Sequence, residues 1–162
     1  MNYLDWSSIN VQAIKSPFYR NLVWLRTLEL IGNLVSVENT IAVDKLIECG
    51  VMYKLGMFVD MDNQGNYETS LIEKMCWIYS NLISSVDSVK CSSYISAFFM
   101  HAPVTRLVEL SIKAPNLSIQ REALWIFANL LTLASPNQIK NCWEVCQLET
   151  GSYGGYGDEE DV

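Results

Sequence analysis

Histidine is almost missing from this chain: His101 stands alone among 162 residues. With no Gly-rich phosphate loop and no paired catalytic carboxylates either, no nucleophile, base and orienting group converge in the sequence. Catalysis is not expected. Proline and glycine are scarce, at four and eight, which disfavours a strand-rich fold with many tight turns and favours long helices. Long apolar runs are lacking too. Glu29, Asn33, Asn81 and Asn129 interrupt the greasiest stretches well short of a bilayer span, so no membrane partner is expected. The N-terminal Met1-Asn2-Tyr3-Leu4-Asp5-Trp6 lacks the basic start of a secretory signal. The expected location is therefore cytoplasmic or nuclear.

The cysteines form no Cys-x-x-Cys pair. Cys49, Cys76, Cys91, Cys142 and Cys146 are odd in number and scattered through helical segments, as buried thiols in a reducing compartment are. Cys142 and Cys146 share a helix face, but with a single histidine they offer no zinc-ligand spacing, so neither metal nor cofactor is expected. Basic charge is also short. The net charge is −7, and residues 158–161 (Asp-Glu-Glu-Asp) carry four of those negatives, leaving fourteen acidic residues against eleven basic ones. Such a surface argues against nucleic acid and permits a basic partner.

What the chain does have is apolar mass, half of its residues, enough for one sizeable core. It also has a repeat. Three segments align on an asparagine: Leu-Glu-Leu-Ile-Gly-Asn33-Leu-Val, Cys-Trp-Ile-Tyr-Ser-Asn81-Leu-Ile and Leu-Trp-Ile-Phe-Ala-Asn129-Leu-Leu. Both intervals are 48 residues, just above the roughly 40–47 of HEAT and armadillo units. Leu28, Cys76 and Leu124 stand five positions before the asparagine. Ile31, Tyr79 and Phe127 stand two before it, and Leu34, Leu82 and Leu130 directly after it. These steps keep one apolar stripe on each long helix, which predicts core at all nine positions.

The intervening segments correspond as well. Asn39–Cys49 reads as a short helix ended by Gly50 in the left-handed conformation, followed by a helix over Val51–Val59 and a polar turn at 60–68. Ser70 and Glu73 have capping-box spacing at the start of the next long helix. The order returns as a helix over Ser88–Phe99, a turn at His101-Ala102-Pro103 and a helix over Val104–Lys113. A loop at 114–116 leads to a third long helix opened by Ser118 and Arg121, and a final helix runs from Ser135-Pro136 to Leu148. Upstream, Leu4–Lys15 reads as the middle helix of an incomplete first unit, with Ser16-Pro17 as its exit loop. Residues 1–149 thus form a repeat domain of about nine helices, and 150–162, mostly glycine, tyrosine and acid, a disordered tail.

The third unit, Gln-Arg-Glu-Ala-Leu-Trp125-Ile-Phe-Ala-Asn129-Leu-Leu followed by Ser-Pro-Asn-Gln138-Ile-Lys, resembles an armadillo repeat of the importin-alpha family. Glu-Lys-Met-Cys-Trp77-Ile-Tyr-Ser-Asn81 carries the same Trp-x-x-x-Asn element. The first unit is similar through Ile31-Gly32-Asn33 and Ile47-Glu48-Cys49-Gly50-Val51, with Glu29 where the tryptophan belongs. The resemblance spans residues 20–148 and implies an all-α, right-handed solenoid of about three armadillo-type repeats with partial ends. It further implies that Trp77, Asn81, Trp125 and Asn129 line a groove for an extended, lysine-rich nuclear localisation signal, with Asn33 and Glu29 continuing it. A four-residue step puts indole and amide on one helix face. The amide suits a peptide backbone and the indole a lysine. The family's importin-beta-binding segment has no counterpart in residues 1–26, and the family's arrays are longer.

Two alternatives stay open on the residues alone. The asparagines can instead bond the neighbouring unit's backbone, and the tryptophans, flanked by apolar residues on every side, can be core. The module can equally be a structural subunit of a larger assembly. Trp143, Val145 and Leu148 at one end, and Tyr3, Leu4, Trp6 and Ile9 at the other, are apolar groups suited to an end-on partner or an oligomer.

Overall fold

The computed structural model describes residues 15–37, 40–61, 69–84 and 91–150, and every regular element among them is helical. In chain order these are α1 (Pro17–Ser36), α2 (Thr40–Glu48), α3 (Val51–Met61), α4 (Thr69–Ser84), α5 (Cys91–His101), α6 (Val104–Lys113), α7 (Leu117–Leu133) and α8 (Pro136–Thr150). The protein is all-α over these residues. The ninth expected helix, Leu4–Lys15, lies outside them except for Lys15, which is not helical; the expected tail lies outside them from residue 151.

Local chemistry sets the boundaries. Lys15 and Ser16 are non-helical; Ser16 is the extended N-cap of α1 and Pro17 its first residue, where proline's missing N–H costs nothing. Gly50, at φ 76°, separates α2 from α3, as the left-handed turn requires. Thr69 is the first residue of α4, so Ser70 sits inside the helix and does not cap it. Similarly α5 runs through His101 before the chain turns. Asn116 caps α7, its Oδ1 accepting from the Ser118 N–H at 2.8 Å. At α8 the capping box is reciprocal: the Gln138 N–H donates to Ser135 Oγ at 3.3 Å and the Ser135 N–H to Gln138 Oε1 at 3.0 Å. Gln138 also reaches α5, its Nε2 donating to the Ser92 carbonyl at 3.0 Å.

The three long helices form the spine, with α4 between α1 and α7 and packed extensively on both. Leu71, Ile72, Met75, Cys76, Ile78, Tyr79, Leu82 and Ile83 of α4 are all buried. Shorter helices complete the core behind it. Tyr79 meets the ring of Phe98 edge-on at 5.5 Å and donates its hydroxyl to the Met52 carbonyl at 2.8 Å.

The structure corrects the core expected from the repeat at two of its nine positions. Leu34 on α1 is 41% exposed and Leu124 on α7 is 54% exposed, whereas their α4 counterparts, Leu82 and Cys76, are fully buried. Burial at these positions needs a long helix on the adjoining side, and among the described helices only α4 has one on both.

Candidate functional site

The expected site residues fall on the α1–α4–α7 spine, and Trp77, Asn81 and Asn129 take part in the contacts between successive helices. Trp77 lies half-buried against Gly32 of α1: a Cβ on Gly32 would come within 2.8 Å of indole Cε3 and Cη2, and closer still to Cζ3. Four residues on, Asn81 Nδ2 donates to Ser36 Oγ of α1 at 3.3 Å. The step repeats between α4 and α7. Asn129 Nδ2 donates to the Ser80 carbonyl at 3.1 Å, and Trp125 stands 58% exposed. Ser80 occupies the register of Gly32 on α4.

The two tryptophan–asparagine pairs thus hold the same register on adjacent helices, with Trp77 half-buried against α1 and Trp125 exposed. The asparagines take part in the inter-helix bonding that was the alternative to ligand binding, each through its Nδ2. An amide carries a second N–H and a carbonyl oxygen besides. Asn33 is exposed on α1, and Glu29, one turn before it, is paired with Arg26 at 2.7 Å.

Charge near the two indoles is mixed. The Lys74 ammonium sits over the Trp77 ring, 4.8 Å from its centroid, so this indole face already holds a cation. Acid lies beside it. Burial first, then the Glu122 and Glu73 carboxylates, push the Cys76 thiol up to about 12, which places both carboxylates close to the α4–α7 seam. Glu73 precedes Trp77 by one helical turn, and Glu122 stands next to Arg121, its partner at 3.1 Å.

Three contributors escaped the sequence reasoning: Gly32 as the seat of Trp77, Ser36 as the acceptor for Asn81, and Lys74 over the indole. The first two had a signal. The residue before each aligned asparagine is small (Gly32, Ser80, Ala128), and the residue three after it carries a hydroxyl (Ser36, Ser84, Thr132). Among the described residues no three histidine, cysteine, aspartate or glutamate side chains gather into a metal site. The side chains of Cys142 and Cys146 lie outside the described set. No described helix is long and apolar enough to cross a membrane.

Comparison with protein-family models, curated proteins and solved structures gives no match for this chain.

Proposed function

We propose that the chain is a non-enzymatic, armadillo-type repeat module, wound as a right-handed solenoid, that binds an extended lysine-rich segment of another protein. Recognition of a nuclear localisation signal, as in the importin-alpha family it resembles, is the form this takes, with the protein working in the cytoplasm, the nucleus or both. One observation carries the proposal: two Trp-x-x-x-Asn pairs lie at the same step on adjacent packed helices, with Trp125 open to solvent.

The chemistry fits that ligand. An exposed indole attracts an ammonium through its quadrupole, by about 0.5–2 kcal/mol according to desolvation, and the Lys74 contact supplies a precedent within the chain. Glu73 and Glu122 add negative potential at the seam. The asparagine carbonyls and remaining N–H groups can pair with a peptide backbone running across the helices. With two complete pairs, affinity is modest and grows steeply only if several lysines engage together.

The test is a fluorescence-anisotropy titration of a labelled lysine-rich peptide against the chain, its Trp125→Ala and Asn129→Ala variants, and a glutamine-for-lysine control peptide. Binding that weakens by about 2–30-fold in Trp125→Ala and vanishes for the control is the expected outcome. Equal affinity for both peptides, or no effect of either substitution, refutes the proposal. The structural-subunit reading is favoured by a different observation, the apolar outer faces of α1 and α7.

A further inference from the structure

Each long helix of the spine carries two apolar edges, fixed relative to its asparagine. One edge comprises the residues three before and one after: Leu30 and Leu34, Ile78 and Leu82, Ile126 and Leu130. The other comprises those five before and two after: Leu28 and Val35, Cys76 and Ile83, Leu124 and Leu131. On α4 both edges are buried. On α1 the second edge is buried against α4, while Leu30 and Leu34 are 60% and 41% exposed. On α7 the pattern inverts: Ile126 and Leu130 are buried, while Leu124 and Leu131 are 54% and 66% exposed. The edge that α1 leaves open is therefore the edge that completes a junction with the one α7 leaves open.

We infer that a second copy of this chain docks there, the outer edge of α1 in one copy seating on the outer edge of α7 in the next. The two internal junctions, α1 with α4 and α4 with α7, are the template, and the new contact continues them in register. Polar groups match as well. At the first junction Asn81 donates to Ser36 Oγ, which itself donates to the Gly32 carbonyl at 2.8 Å. Thr132 on α7 repeats that arrangement, its hydroxyl donating to the Ala128 carbonyl at 2.9 Å, and exposed Asn33 is the asparagine that α1 brings to it. Size matches too. Gly32 lacks a Cβ because an indole fills its space, whereas Ala128 keeps one and meets Glu29, the residue that stands in the tryptophan register of α1. The contact is heterologous, so copies add head to tail and do not stop at two unless the rotation closes a ring. This inference does not depend on peptide binding.

Sedimentation velocity over a wide concentration range tests it with the full chain and two variants, Leu34→Glu and Leu131→Glu. Both positions are on the surface, so circular dichroism should be unchanged; Leu30→Glu and Leu124→Glu serve as the second pair if either variant misfolds. Wild-type mass should rise with concentration, and each variant alone should associate about tenfold more weakly or less, because a carboxylate enters an apolar seam. Mixed together, the two variants should form a defined one-to-one complex, since each keeps the face the other has lost. A wild-type monomer at every concentration overturns the inference and assigns these faces to the chain's own residues 1–14 or to another protein. Symmetric dimers of either variant, or a mixture that stays monomeric while wild type associates, overturn it as well.

Discussion

Replacing Gly32 by alanine probes the seam between α1 and α4 at its tightest point. The added methyl would lie 2.8 Å from two carbons of the Trp77 ring and nearer to a third, whereas carbon pairs settle at about 3.5–4.0 Å. The indole must retreat by about an ångström or swing away from α1. Overpacking of this kind costs about 1–3 kcal/mol, and three overlapping ring atoms put Gly32→Ala toward the upper end. Against that, alanine in place of glycine within a helix gains about 0.5–1 kcal/mol. The overlap wins, leaving a net loss of about 1–2 kcal/mol.

A double-mutant cycle isolates the cause. In a Trp77→Ala background the obstruction is gone and only the helical gain remains, so Gly32→Ala should then stabilise by about 0.5–1 kcal/mol. Urea unfolding followed by circular dichroism measures both arms. The sign must change between backgrounds. If Gly32→Ala is neutral or stabilising in the wild type, or equally destabilising in both, Trp77 does not occupy the recess and the packing account of this seam is wrong.

Lys74→Ala should tighten binding of a lysine-rich peptide by about 2–5-fold, because it removes a cation worth about 0.5–1 kcal/mol from the Trp77 face; weaker binding would contradict the proposed role of that indole. Cys76 supplies a pH test. Burial, then Glu122 and Glu73, raise its thiol from 9.0 to about 12, so the folded state holds the proton longer than the unfolded chain. Its contribution is complete below pH 9 and is lost between pH 9 and about 12, with a slope of at most about 1.4 kcal/mol per pH unit. Wild-type stability measured against Cys76→Ala should be flat below pH 9 and fall above it; a flat difference throughout would mean the thiol is accessible to water.

Much of the helical order was legible because the 48-residue step and the punctuating residues act locally. Gly50 took its left-handed turn, and Ser135 opened α8 through a bond pattern that depends only on residues three apart. The small errors, at Pro17, Ser70 and His101, come from competition among adjacent capping groups, which shifts an end by a residue or two. Burial along the spine was less legible. Leu34 and Leu82 hold the same register, yet one is 41% exposed and the other fully buried, because periodicity identifies an apolar edge without saying whether another helix lies against it. The two tryptophans show the same limit. Trp77 and Trp125 hold the same register, four residues before an asparagine, while the residue 45 positions upstream differs, Gly32 for one and Ser80 for the other. Trp77 packs into the space at Gly32, where a Cβ would collide with its ring, while Trp125 is 58% exposed.

That difference gives the two pairs unequal parts. Trp77 and Asn81 join α4 to α1 through a ring seated on glycine and an amide bound to Ser36, so a ligand that engages them must share groups already used in packing. Trp125 has its ring more open, and Asn129 spends one N–H on the Ser80 carbonyl. On the proposed peptide-binding role a lysine would gain most at Trp125, since the Trp77 ring already holds Lys74. On the proposed addition of a further copy, Asn33 and Thr132 stand where another such junction would form. If both proposals hold, peptide capture and addition of a further copy would use different residues of α7, Trp125 and Asn129 for the one, Leu124 and Leu131 for the other. Substitutions at Trp125 and Asn129 should then weaken peptide binding and leave self-association standing, and substitutions at Leu124 and Leu131 should do the reverse.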